Sequence, residues 1–219
     1  MNPVAIQHLC EPFASTCAGL WPQLAPRGEQ ERSARIAFVA SEPGAGATTI
    51  AACAAVGLAR HVGLSVLLVE ANLRSPSLGV ATGAEPGPGL AQVLAGAASC
   101  RGAVRPTDVA GLSVLLAGDV GELGPGVFAA NAWSRLWSEL GGAFHFVLLD
   151  LPPLFDHPEA RTLLMQSTGS VLVLAEGRTR KRDARRLAQA ADQAGVRVLT
   201  TVLNHYRGSQ AQWLAAPTD

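Results

Sequence analysis

Lysine is almost missing from this chain: sixteen of its 17 basic side chains are arginine, and the single lysine is Lys181. Charge of one sign is missing too, because the 17 bases are balanced by 17 acids. A net charge of zero argues against a dedicated nucleic-acid binder, which meets its ligand through a basic surface. No apolar run approaches the roughly 18 to 20 residues that a membrane span needs. The opening stretch MNPVAIQHLCEPF has no basic region followed by an apolar core, so a cytoplasmic location is expected. Cys10, Cys17, Cys53 and Cys100 form no CxxC pair and stand at no metal-ligand spacing from the five histidines, which reads as reduced thiols in ordinary packing.

What the chain does have is a regular alternation. Its 219 residues suit one sizeable core with a short appendage. Residues 1–33 carry Pro3, Pro12, Pro22 and Pro26 with few periodic apolar positions, which predicts an N-terminal arm with at most one short helix, after Cys10. From there short apolar runs recur: ARIAFVA (34–40), SVLLVE (65–70), LSVLLAG (112–118), FHFVLLD (144–150), SVLVLAE (170–176) and VRVLTTVLN (196–204). Helical patterns lie between them. TTIAACAAVGLARHVG is alanine-rich, Trp133, Leu136, Trp137 and Leu140 fall on one helical face, and so do Ala184, Leu187, Ala188, Ala191 and Ala194. Continuously apolar strands alternating with helices predict an α/β fold, a mostly parallel sheet with helices on both faces. The expected organisation is an arm (1–33), one domain (34–206) and a polar tail (207–219).

Open parallel sheets bind ligands at the carboxyl ends of their strands, and the informative residues collect there. After the first strand comes SEPGAGATT (41–49), which reads as a phosphate-binding loop. Gly44 and Gly46 let backbone N–H groups converge, and Thr48 and Thr49 open a helix whose N-terminus favours an anion. A P-loop, G-x-x-x-x-G-K-[ST], also needs a lysine to reach the β- and γ-phosphates; Ala47 stands in that place. Glu70, Asn72 and Arg74 follow the second strand, Asp150, Pro152 and Pro153 the fourth, and Asn204 ends the sixth. A dinucleotide-binding fingerprint, G-x-G-x-x-G, would need glycine at Thr49, although Glu70 is placed where a ribose is held; that reading stays open as an alternative.

SEPGAGATT, VLLVEANLRSPSLG, FVLLDLPPL and TVLN together resemble the bacterial tyrosine kinases (BY-kinases) of exopolysaccharide and capsule export. These are relatives of the MinD and ParA ATPases with a deviant Walker A loop. The resemblance covers roughly residues 34–206 in order and spacing and implies a P-loop NTPase fold. Carried over by motif, it implies Thr48 as a Mg²⁺ ligand, Asp150 as the Walker B acid and second metal-site residue, and Arg74 as part of the second-strand motif. It also implies Asn204 as an adenine-side contact and residues 44–49 (Gly44, Ala45, Gly46, Ala47, Thr48, Thr49) as the nucleotide loop. A membrane-embedded polysaccharide co-polymerase or chain-length determinant protein is the implied partner.

The departures from the family pattern all fall on chemistry. The phosphate-cradling lysine is Ala47 and the loop acid is Ala45. The two second-strand aspartates are Glu70, a doubtful catalytic group, and Asn72. Glu42 occupies the place where the partitioning ATPases open the loop with a second lysine. Phosphoryl transfer is catalysed by positioning and charge stabilisation, and here Glu42, Glu70 and Asp150 surround the phosphates with Arg74 as the compensation. The expectation is therefore a catalytically degenerate member, with ATP or ADP and Mg²⁺ bound weakly or not at all. The alternatives are an active but divergent tyrosine autokinase or ATPase, and a MinD-like positioning ATPase. The family's oligomerisation motif, E-x-x-R-x-x-R, reads Glu11, Ala14, Cys17, which predicts a monomer or weak dimer. Its tyrosine-rich tail is reduced to Tyr206, the one tyrosine of the chain. The basic run RTRKRDARR (178–186) is either a solvated helix face or a docking surface for an acidic partner or membrane.

Overall fold

The computed structural model describes residues 4–10, 13–25, 33–121, 125–140 and 142–206. Seven strands form one sheet: β1 (Ala34–Ala40), β2 (Val66–Glu70), β3 (Arg105–Pro106), β4 (Leu112–Leu115), β5 (Phe146–Asp150), β6 (Gly169–Ala175) and β7 (Arg197–Asn204), in the order β3-β4-β2-β5-β1-β6-β7. All pairs are parallel except β3 with β4. The helices are α1 (Gln7–Cys10), α2 (Ala14–Ala18), α3 (Trp21–Leu24), α4 (Ala47–Val62), α5 (Leu78–Ala81), α6 (Leu90–Leu94), α7 (Cys100–Ala103), α8 (Ala130–Leu140), α9 (Glu159–Leu164) and α10 (Lys181–Gln193).

Alternation along β1 shows how two core layers arise. Ala34, Ile36, Phe38 and Ala40 join the layer under α1 to α4, whereas Ala37 and Val39 join the opposite layer under α6 to α10. Both faces of the central strands are buried, so their sequence is apolar throughout. On α8, Trp133 and Leu136 are buried and Trp137 and Leu140 pack at the edge of the same layer. Among the described residues, no helix is long and apolar enough to cross a membrane.

The N-terminal arm departs from expectation: its described residues form three short helices instead of at most one. Pro22 sits in the first turn of α3, where its missing N–H costs nothing, so a helix can begin there. Ala14 and Cys17 of α2 are buried against α4, at a crossing so close that a Cβ on Gly57 would lie 2.5 Å from the Ala14 carbonyl. The four cysteines are free and buried, and Cys10, Cys17 and Cys53 share this layer. The strand expected over 112–118 is β4 and ends at Leu115, because the Leu116 and Ala117 carbonyls accept from Leu90 N–H and Ala91 N–H at the head of α6. The expected tail (207–219) and Glu11 of the oligomerisation motif lie outside the described residues.

Candidate nucleotide site

Asp150 ends β5 between two neighbours, in register with Phe38 of β1 and with Glu70 of β2. This brings the loop after β1, the end of β2 and Asp150 to one edge. In the loop, Gly44 and Gly46 have φ of 73° and 96°, the left-handed region that glycine enters without strain. No turn or loop carbonyl among the described residues accepts from the N–H groups of residues 44–49. They are free for an anion at the head of the 16-residue α4.

The loop is fastened from outside through its carbonyls. Asn204 Nδ2 donates to Ala45 O at 2.9 Å, Arg178 donates to Pro43 O at 3.0 Å and to Gly44 O at 3.2 Å, and His205 Nε2 lies 3.3 Å from Gly44 O. Glu42 is drawn the same way: its oxygens accept from the hydroxyls of Thr179 and Ser41, both at 2.5 Å. Fixing the carbonyls outward points the amides inward. Arg178, Thr179 and His205 were not singled out from the sequence as site residues; adjacency to Asn204 and the basic run were the available signals.

The amides face a cleft of about 360 Å³, whose walls include Thr48, Asn72, Ser75, Pro153 and His157. On the other side of the loop is an apolar cavity of about 740 Å³, walled by Phe13, Ile50, Cys53, Leu203, Asn204 and Tyr206. Asn204 thus touches the cavity where the resemblance implies a base, while its amide nitrogen is spent on the loop.

Two carboxylates lie at this edge in opposite states. Asp150 is 1% exposed, and among the described residues neither oxygen has a hydrogen-bond partner within bonding geometry. Burial pushes its pKa up to about 7; the Thr48 hydroxyl beside it favours the ionised form and the Glu70 charge opposes it. Glu70 is equally buried but fully engaged. Its Oε1 accepts from Ser77 N–H at 2.7 Å and Leu78 N–H at 2.5 Å, and its Oε2 accepts from Ala117 N–H at 3.0 Å. Glu70 ties the β2–α5 segment to the residues just after β4 and is not among the described residues that line the cleft. Asn72 does line the cleft, its Oδ1 accepting from Ser75 N–H at 3.3 Å. Arg74 is half exposed, and its Nε donates to the buried Glu159; it does not line the cleft.

An unpartnered buried carboxylate beside a threonine hydroxyl at a phosphate loop is a donor set that fits Mg²⁺. Thr48 and Asp150 are the residues that would hold it.

The sequence of YwqD, a tyrosine-protein kinase of Bacillus subtilis, is 32% identical over 163 residues, 74% of this chain and 68% of that protein. The chain belongs to the bacterial tyrosine-kinase family. The Streptococcus pneumoniae tyrosine-protein kinase CpsD is 29% identical over 170 residues, covering 77% of the chain and 74% of CpsD. The succinoglycan biosynthesis transport protein ExoP of Rhizobium meliloti is 29% identical over 172 residues, 77% of the chain and 22% of that longer protein. No protein-family model matches the sequence. The fold agrees. The kinase domain of the Escherichia coli tyrosine kinase ETK superposes with a TM-score of 0.82 at 19% identity, over 99% of the chain and 86% of that domain. MinD of Pyrococcus horikoshii in complex with Mg-ADP superposes with a TM-score of 0.70 at 24% identity, over 83% and 74%.

Proposed function

We propose that this family member binds a nucleotide weakly, does not transfer phosphate to tyrosine, and serves polysaccharide export as a binding or regulatory component. The observation that carries this reading is the Glu70 carboxylate, locked onto three backbone amides in a cleft edge where Ala47 already replaces the lysine. One acid of the second-strand motif is thereby used as a structural clasp, and the other is the neutral Asn72. Losing a preorganised charge-assisted contact costs on the order of 3 kcal/mol, and each ~1.4 kcal/mol is tenfold in rate.

Binding is retained in this reading because the inward amides, Thr48 and the unpartnered Asp150 keep the parts of a Mg-nucleotide site. When bound, the cation neutralises charge on the phosphate oxygens. The protein's own groups do the rest: the amides of residues 44–49 orient the phosphates, the outer fastening by Arg178 and Asn204 holds those amides in place, and the apolar cavity receives the base. The match to ExoP, where a segment like this chain is 22% of a longer biosynthesis and transport protein, supports a membrane-embedded polysaccharide co-polymerase or chain-length protein as partner, with the chain at the inner membrane through it.

Calorimetry with ATP and Mg²⁺, paired with a phosphate-release assay, is the test. The expected affinity is high micromolar or weaker, roughly −5 kcal/mol, with release at background. Ala47→Lys strengthens binding about tenfold or more if the amides are preorganised. Submicromolar affinity of the unaltered protein, or turnover abolished by Asp150→Ala, overturns the reading.

A further inference from the structure

The loop under the cleft has Ala47 in place of the lysine, and two nearby arginines among the described residues are engaged elsewhere. Arg74 is turned onto Glu159 and Arg178 onto the outer carbonyls of the loop. Of the described residues lining the cleft, two carry ionisable side chains: Glu42 and His157. Both Glu42 oxygens already accept hydroxyl hydrogens from Thr179 and Ser41. His157 is placed differently. It lies on the segment between β5 and α9, its Nδ1 is 4.0 Å from Glu159 Oε1, and its side chain is 25% exposed. With Nδ1 turned to Glu159, Nε2 is the ring nitrogen left for a ligand in the cleft.

We propose that His157 is the anion-binding side chain of this cleft: protonated, it gives the terminal phosphate of a nucleoside diphosphate or triphosphate the positive charge that Ala47 cannot. The cleft then holds phosphate in a pH-dependent way, where a lysine would hold it at any physiological pH. This rests on the reading of the cleft as a nucleotide phosphate site. The described charged groups near His157 are engaged or set apart from it. Glu159 faces it but also takes the Arg74 Nε–H, Asp156 is its exposed chain neighbour, Glu42 on the loop is occupied, and Asp150 is buried at the end of β5. Histidine is the side chain whose charge changes between about pH 5 and 8, which sets the two pH values of the test.

The test is calorimetric binding of ADP, without Mg²⁺, at about pH 6 and about pH 8, the two sides of the histidine range. It uses the intact protein, His157→Gln and His157→Arg. The unaltered protein is expected to bind about tenfold tighter at the lower pH, the worth of one charge-assisted contact. His157→Gln loses that gain, and His157→Arg binds tightly at both values. The titrations of ADP and of Asp150 are common to all three proteins and cancel in the comparison. Equal pH dependence in the unaltered protein and His157→Gln, or no tightening at the higher pH in His157→Arg, overturns the proposal while leaving the nucleotide site standing. Absence of ADP binding in all three at both values overturns the nucleotide reading, and this one with it.

Discussion

Glu70 and Asp150 are register partners at the carboxyl ends of adjacent strands, both 1% exposed, yet among the described residues one accepts three backbone N–H donors and the other none. The contrast divides the site into a built part and an open part. Glu70 stabilises the fold around the cleft. Asp150 is a buried carboxylate without such donors, and its burial has a pH signature.

The first prediction is the signature itself. An unfolded aspartate loses its proton near ~3.9, whereas Asp150 in the folded protein holds its proton up to about 7. Between these values the native state binds one proton more than the unfolded chain, so this group makes stability fall as pH rises, until the penalty is complete above about 7. Asp150→Asn removes the titration. Urea unfolding near pH 8 should find the variant more stable, by at most about 4 kcal/mol from the size of the shift, with little difference near pH 4. A variant less stable near pH 8 would contradict the assignment.

The second concerns the clasp. Glu70→Gln keeps one acceptor oxygen but turns an amide N–H₂ toward a backbone donor, so at least one N–H among Ser77, Leu78 and Ala117 loses its partner. The expected loss is about 2–3 kcal/mol of unfolding free energy. Because the Glu70 charge helps raise Asp150, the same variant should shift the pH-dependent step of stability to lower pH. Loss of stability with an unmoved step would separate the clasp from the electrostatics.

These two residues also show where sequence reading stopped. The strands were legible because a sheet buried on both faces demands apolar runs, and the loop because glycine at 44 and 46 and threonine at 48 have few other uses before a helix. Asp150 was legible from its place after FVLL. The role of Glu70 was not, since its partners lie at Ser77, Leu78 and Ala117 and meet it only once β2, α5 and the end of β4 are packed. His157 carried no local signal at all: nothing around it in sequence says that the segment after Pro153 folds back over the cleft. The two-residue β3, with Pro106 in it, is too short for any periodicity, and its edge position is what makes the proline tolerable.

The third prediction tests the fastening of the loop. Gly46 has φ of 96°, and a Cβ there would fall 2.1 Å from Asn204 Nδ2. Gly46→Ala should cost stability twice, through about 1–3 kcal/mol of backbone strain and through displacement of Asn204 from Ala45 O. Asn204→Ala relieves the second cost alone. In a double-mutant cycle by urea unfolding, Gly46→Ala should therefore cost less in the Asn204→Ala background, with a coupling of about 0.5–3 kcal/mol. Strict additivity would show that the Asn204 contact does not hold the loop.

The fourth concerns assembly. Ala14 and Cys17, where the family's motif has arginines, are buried under α4 and present no charge at a surface. A monomer or weak dimer is expected by light scattering at micromolar concentration; a stable octamer would contradict it.

The fifth is that the protein does not phosphorylate itself on Tyr206. This tyrosine is 46% exposed, but it follows two residues that are bound to its own loop: Asn204 through Ala45 O at 2.9 Å, and His205, whose Nε2 lies 3.3 Å from Gly44 O. Its ring lines the apolar cavity on the far side of the loop from the cleft. Transfer requires the hydroxyl and the terminal phosphorus roughly 3 to 3.5 Å apart and aligned. A side chain anchored behind the loop cannot reach the front of it, and reaching a neighbouring molecule's cleft would mean breaking the contacts that orient the amides. The acceptor side is also without the acid that would receive the hydroxyl proton, because Glu70 is held on three amides and Asn72 is neutral. Incubation with ATP and Mg²⁺ followed by peptide mass spectrometry should find Tyr206 unmodified. Substantial phosphate there, abolished by Asp150→Ala and unaffected by the replacement of Glu70, would mean that the cleft catalyses transfer without the second-strand acid, and that the loop contacts of Asn204 and His205 open during the reaction.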